Sequence, residues 1–271
     1  MPYDSGTASA KLSPWDKRVE RAAALARRFA YAGEILGFYG AVLDLQRKIY
    51  HHIPAQTITP AADIDSFRQQ LEAQSDHALR YLAELVALVE RKGTAKLAKE
   101  AEAVRAASNE QQRKMIALYA IQSEGEHPFF ARTLLQPIAE WLAQCVPSQN
   151  VTLSTCPVCG VRPQAAVLRP EGDGGKRFLL CSLCLTEWEF RRILCPVCGE
   201  EDHKKLPRYT ADDYNWVRVE ACDTCHFYLK SIDLTVDGLA VPLVDEVATA
   251  PLDVWATGHD YQKTEPNLMG F

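Results

Sequence analysis

The chain has 271 residues, 47% hydrophobic and 24% charged, with a formal net charge of −5 at pH 7. That balance fits an ordinary globular protein of one large or two modest domains, long enough to bury a core without disulfide staples. No stretch approaches the roughly 20 apolar residues of a membrane helix. Residues 1–150 carry 18 Lys+Arg against 17 Asp+Glu and residues 151–271 carry 12 against 18, so neither half shows a basic footprint for nucleic acid.

The opening Met1-Pro-Tyr-Asp-Ser-Gly-Thr7 lacks the basic, apolar and cleavage regions of a secretory signal, and the chain reads as cytoplasmic. Ser13-Pro14 is a helix-start signal, with Asp16 suited to the positive end of the helix dipole. An apolar pattern then runs through Val19, Ala22, Ala26, Phe29, Leu36 and Leu43 to about Tyr50, read as one helix. Gly33, Gly37 and Gly40 within it would let a neighbouring helix approach closely. Asp63 and Asp65 can cap a second helix with Phe67, Leu71, Ala78, Leu82, Leu85 and Val89 on one face, ended by Gly93-Thr94. A third covers Asn109 to Gln122. The apolar segment His127–Cys145 follows, where Pro137 is expected to kink or divide the helix. Cys145 at its end reads as a small buried hydrophobe.

Near Pro147 the composition changes to cysteine, glycine, proline and β-branched residues. Strand-like runs lie at Gln164–Arg169, Lys176–Leu180, Trp216–Ala221 and Phe227–Ile232, and the turn cluster Gly172-Asp173-Gly174-Gly175 makes the first two a hairpin. Residues 233–271 carry few periodic signals and are left as a C-terminal tail without an assigned place.

Eight of the nine cysteines fall in four Cys-x-x-Cys pairs: Cys156/Cys159, Cys181/Cys184, Cys195/Cys198 and Cys222/Cys225. In a reducing compartment such clusters are metal ligands or redox catalysts rather than disulfides. Cys156-Pro-Val-Cys159-Gly160 recurs letter for letter as Cys195-Pro-Val-Cys198-Gly199, so the pairs form an internal repeat. Each half has the two-knuckle spacing of a tetrahedral Cys₄ site, in which two cysteines three apart aim both sulfurs at one ion. Gly160 and Gly199 allow a left-handed turn that points amide N–H groups at the thiolates. Thiolates in that geometry select zinc or a mononuclear iron, so two mononuclear ions, iron or zinc, are expected. The repeat favours sequential pairing (156/159/181/184 and 195/198/222/225), with an interleaved cross-brace as the alternative.

Lys176, Arg177, Arg191 and Arg192 are placed in sequence to offset thiolate charge, and Trp188, Phe190, Trp216, Phe227 and Tyr228 read as the apolar core of the metal modules. Cys222-Asp-Thr-Cys225-His226 has the form of a c-type haem attachment, which requires export and conflicts with the repeat. His226 reads as a neighbour of the site, not a ligand. No nucleophile elbow, phosphate loop, catalytic carboxylate pair or dinucleotide fingerprint is present, so no catalytic residue is assigned and the chain is not expected to be an enzyme.

These residues resemble the FdhE family of formate dehydrogenase accessory proteins. The resemblance rests on Cys156-Pro-Val-Cys159-Gly160, on Leu180-Cys181-Ser-Leu-Cys184-Leu-Thr-Glu-Trp188 with Arg191 and Arg192, and on the second pair of knuckles through Tyr228-Leu-Lys230. His127-Pro128-Phe129-Phe130 with Gln136-Pro137 upstream, and Pro251-Leu-Asp253 with Pro266-Asn267 downstream, extend it to roughly residues 15–270. The linker Arg169–Gly175 and His226 depart from it. The resemblance implies a cytoplasmic assembly factor that binds the catalytic subunit of a formate dehydrogenase, with rubredoxin-like iron at the cysteines. It marks no client-contact residue and leaves homodimerisation open.

The expected architecture is multidomain. A helical bundle (1–147) precedes two tandem rubredoxin-like or zinc-ribbon-like Cys₄ modules (148–192 and 193–232) and the tail (233–271). The competing functions are a rubredoxin-like electron carrier and a zinc-ribbon nucleic-acid-binding protein. No nucleic acid and no membrane are expected as partners.

Overall fold

The computed structural model describes residues 13–54, 59–147, 153–172 and 174–271. The segment read for a secretory signal, the first residues after the expected boundary at 147 and Asp173 of the turn cluster lie outside those residues. Ser13 caps α1 (Pro14–Arg28) as its sequence requires: its hydroxyl accepts from the Asp16 amide and the Asp16 carboxylate accepts from the Ser13 amide, both at 3.1 Å. The single helix expected to Tyr50 is instead two. The chain leaves α1 at Phe29 (φ −115°, ψ 96°), makes one 3₁₀ turn over Ala30–Ala32, and returns antiparallel as α2 (Gly33–His51). The physical reason is burial: one continuous helix would span about 55 Å and leave Leu25, Leu36, Val42 and Leu43 without a common core. The glycines expected to permit close helix approach are not forced by it: a Cβ on Gly40 would make an ordinary 4.0 Å contact with the Ala22 side chain, and one on Gly37 would meet nothing within 4 Å.

The second expected helix is also divided, into α3 (Ile64–Glu72), α4 (Ser75–Leu79) and α5 (Leu82–Lys92), with Asp63 as the N-cap of α3. α6 (Ala95–Ala106), which sequence reading passed over, starts at a Thr94 cap. α7 (Asn109–Gln122) lies where expected. α8 (Pro128–Ala143) runs through Pro137 undivided. Proline there leaves the Thr133 carbonyl without its helical donor, and the buried Gln46 of α2 donates to that carbonyl at 3.0 Å. Cys145 lies beyond the helix end and is exposed, contrary to its reading as a buried hydrophobe.

Among the described residues the sheet has β1 (Pro163–Glu171), β2 (Gly174–Cys181), β3 (Glu187–Glu189), β4 (Arg208–Thr210), β5 (Val217–Ala221), β6 (Phe227–Asp233) and β7 (Gln262–Lys263). The order β3-β2-β1-β6-β5-β4 is two three-stranded antiparallel meanders, one per cysteine half, joined where β1 and β6 pair in parallel (Ala165 opposite Lys230, Val167 opposite Ile232). Helical bundle and sheet share a core. Phe130, Leu134 and Leu135 of α8 belong to the same buried cluster as Ala166, Leu179, Trp188 and Phe190, while Trp216, Val219 and Tyr228 pack in a second cluster with Leu252 and Ala256.

The C-terminal stretch left unplaced from sequence forms α9 (Pro242–Ala248) and α10 (Ala250–Thr257), each opened by a proline in its first turn, and ends with β7 beside β6. Buried charge ties it down. Lys230 of β6, fully buried, donates to Asp253 at 2.5 Å and to Glu246 at 3.2 Å. Lys263 donates to Asp253 at 2.7 Å and also pairs with Glu246, whose other oxygen accepts from Asn267 at 2.5 Å. Asp245 accepts from Arg21 of α1 at 2.6 Å and from the Trp216 indole at 2.8 Å, so one carboxylate joins the bundle, α9 and the sheet.

Candidate metal centre

All four Cys-x-x-Cys pairs fold into the same small loop. The amide of the first cysteine donates to the carbonyl five residues on, at 2.9–3.0 Å in each case: Cys156 to Val161, Cys181 to Thr186, Cys195 to Glu200 and Cys222 to Phe227. Closing that loop requires a left-handed residue after the second cysteine. Gly160 (φ 75°) and Gly199 (φ 77°) supply it as the sequence suggested, and so do Leu185 (φ 58°) and His226 (φ 59°), which it did not. The second knuckles therefore accept a side chain at a position that favours glycine. Only register with the glycine of the first knuckles could have marked Leu185 and His226.

The loops bring the sulfurs together in two groups, Cys156/Cys159/Cys181/Cys184 and Cys195/Cys198/Cys222/Cys225, each with its four Sγ atoms within 4.8 Å of one another. The geometry is sequential; the interleaved alternative does not occur. Sulfur–sulfur separations are 3.5 and 3.3 Å in the first group and 3.7 and 3.6 Å in the second. A disulfide needs about 2.05 Å, whereas a tetrahedron of 2.3 Å metal–sulfur bonds has edges of about 3.8 Å. The groups therefore fit a tetrahedral ion. Amides of Val158, Leu183 and Val197 point at Cys156, Cys181 and Cys195 sulfurs, each at 3.4 Å, which favours the thiolate form.

Hydrogen bonds from Cys159, Cys181 and Cys184 pull the Cys156 thiol far below its ordinary value, while burial pushes those three well above theirs. In the second group burial raises Cys195 and Cys225, whereas at Cys198 the Glu200 amide and neighbouring thiols outweigh burial and lower the thiol.

The two groups differ in setting. All four cysteines of the first are buried, in the core that joins bundle and sheet; in the second Cys198 is exposed and Cys225 half-buried. Arg132 of α8 locks the first site in place, donating to the carbonyls of Ser182 (3.1 Å) and Pro266 (2.8 Å) and to Gln164 (2.8 Å). Of the cations expected to offset thiolate charge, Lys176 is engaged by Glu189, Arg191 by Glu201 and Arg177 by Glu220, at 2.7, 2.6 and 2.9 Å. Arg177 and Arg192 do line a small cavity with Cys195 and Cys222. Of the aromatics expected to form the core of the metal modules, Trp188 and Phe190 are buried in the core shared with the helical bundle, Trp216 and Tyr228 are buried in the second cluster, and Phe227 is half-buried. His226 is in neither sulfur group; it lies by Tyr261, ring centroids 6.1 Å apart.

Gly160 and Gly199 offer an internal comparison. A Cβ at Gly160 would meet Arg68 at 3.1 Å and Ile64 at 3.2 Å, whereas at Gly199 it would meet nothing within 4 Å. Both alanine substitutions carry a left-handed penalty of about 1–2 kcal/mol, so Gly160→Ala is expected to lower the thermal midpoint more than Gly199→Ala. Equal shifts would show that α3 does not press on the first knuckle.

Comparison with known proteins follows the same division. The FdhE central-domain model matches residues 155–192 and the FdhE C-terminal-domain model matches residues 193–269. The crystal structure of the FdhE protein from Pseudomonas aeruginosa superposes with a TM-score of 0.70 at 26% identity, covering 96% of each chain. The chain belongs to the FdhE family. An FdhE homolog from Aquifex aeolicus is 28% identical over 268 residues, 93% of this chain and 94% of that one. One from Pseudomonas putida is 37% identical over 188 residues, 63% of this chain and 58% of that one. The FdhE C-terminal-domain match takes in the stretch that the sequence reading set apart as a tail, consistent with α9, α10 and β7 packing on the second meander. No described helix is long and apolar enough to cross a membrane.

Proposed function

We propose that this FdhE-family chain is a cytoplasmic maturation factor that binds the catalytic subunit of a formate dehydrogenase, and that it holds two mononuclear ions. Cys156, Cys159, Cys181 and Cys184 would ligate one; Cys195, Cys198, Cys222 and Cys225 the other. The observation that carries the reading is the pair of closed tetrathiol clusters on the FdhE architecture. Four protein ligands fill a tetrahedron and leave no position for substrate, the pattern of a structural site rather than a hydrolytic one. The role is organising a docking surface, not oxidising formate. Two tests apply together. The catalytic subunit is expected to co-purify with the tagged chain, and a deletion strain is expected to lose formate oxidation until the gene is restored. No co-purification together with unchanged formate oxidation in the deletion strain would sink the proposal.

A rubredoxin-like carrier is the second reading, favoured by the exposure of Cys198. It requires iron whose thiolate absorption bleaches and returns on reduction and reoxidation; zinc at both sites eliminates it.

A further inference from the structure

The internal repeat shows one module covered and the other open. Each meander sets one knuckle before its first strand and one between its second and third. In the first module the tips are capped by helices: Val158 is 7% exposed and Leu183 2%. Arg68 of α3 donates to the Cys159 carbonyl at 3.0 Å, and Arg132 and Gln136 of α8 donate to the Ser182 carbonyl at 3.1 and 3.0 Å. In the second module the matching positions face solvent. Val197, in a pentapeptide identical to that around Val158, is 39% exposed, and Asp223 and Thr224, which match Ser182 and Leu183, are exposed.

We infer that this second knuckle face docks a helical segment of the catalytic subunit, one with a small apolar stripe flanked by arginine or lysine. The inference rests on the maturation reading above and assigns its contact. The chain itself displays what fits this motif: a helix laid over the Pro-Val tip, with a guanidinium donating to the carbonyl of the second cysteine. Cys198 offers the equivalent carbonyl. Exposed Asp202 and Asp223 at the edge are balanced by exposed Lys204 and Lys205, so a tetrathiolate would set the net negative charge of this face and favour a basic helix. Val197 keeps 39% of its surface exposed where its counterpart Val158 is 7% exposed.

The test uses the full metal-loaded chain and the tagged co-purification described above. Val197→Arg is expected to reduce captured catalytic subunit at least about tenfold, as loss of a central contact does, with metal content and helical circular dichroism unchanged. Leu239→Arg, at an 81%-exposed residue in the loop between β6 and α9, is expected to capture as the wild type does. If Val197→Arg loses metal, Val197→Ser carries the comparison, with a reduction of about threefold expected. Capture by the wild type but equally by the Val197 variants overturns the inference and leaves the maturation reading standing. A Val197 variant that changes self-association without reducing capture assigns the face to a second copy and overturns it too. No capture by the wild type fells the maturation reading, and this one with it.

Discussion

Cys156→Ser is expected to remove one of two bound ions and to destabilise the whole chain by at least about 4 kcal/mol, the scale at which loss of a buried metal site falls. Cys198→Ser is expected to remove the other ion while leaving the main unfolding transition close to wild type. The asymmetry follows from position. Cys156 lies in the core that bundle and sheet share, so an incomplete first site strands three buried thiols among Val158, Leu183 and Trp188. The second cluster sits at the rim of its meander with Cys198 exposed, and opening it frees a local element rather than the core. Metal content by elemental analysis, paired with thermal unfolding followed by circular dichroism, separates the cases. Equal destabilisation by the two variants would contradict the structural distinction.

Glu246→Ala is expected to cost about 3–5 kcal/mol, the range for removing one partner of a buried ion pair. The substitution leaves fully buried Lys230 and the largely covered Lys263 side chain to share Asp253 as the one carboxylate of this cluster. The same group confers acid sensitivity. Burial works to raise the Glu246 carboxyl, but Lys230, Lys263 and Asn267 overcome it and hold the group below its ordinary 4.5. Its contribution is therefore complete above about pH 4.5 and is lost as pH falls through the lower folded value. Glu220 acts in the same sense, burial again being outweighed by Arg177, Arg218 and Arg208. Unfolding midpoints measured from pH 7 to pH 3 are expected to fall steeply below 4.5 in the wild type and less so in Glu246→Gln. Parallel profiles would show that this carboxylate is not the linked group.

The metal centre was legible in the sequence because its chemistry is local. Two cysteines and a left-handed residue specify a knuckle within five positions, and the repeat of Cys-Pro-Val-Cys-Gly favoured the sequential pairing, which the sulfur positions then decide against the interleaved one. The four longer strands were legible for a similar reason, being bounded by those knuckles and by glycine turns. Helix breaks were less so. The stretch from Pro14 to His51 carries one apolar period, and only the tertiary need to bury both halves against each other ends α1 at Phe29. Pro137 does not divide α8, because the donor to the carbonyl it frees comes from Gln46, some ninety positions earlier. α9 and α10, opened by Pro242 and Pro251, went unread because helices of seven and eight residues give periodicity little room. Their place in the fold is set by buried charges that no local pattern encodes: Asp245 with Arg21, Glu246 and Asp253 with Lys230. Leu185 and His226 at positive φ lay beyond propensity, which assigns such positions to glycine.

The most direct test of two tetrathiolate ion sites is the metal content of the intact chain, purified without added metal and read by elemental analysis with an absorption spectrum. Two equivalents of iron or zinc per chain are expected, falling to one in Cys156→Ser and to one in Cys198→Ser. Intact, folded protein that carries no stoichiometric metal would contradict the assignment of all eight cysteines.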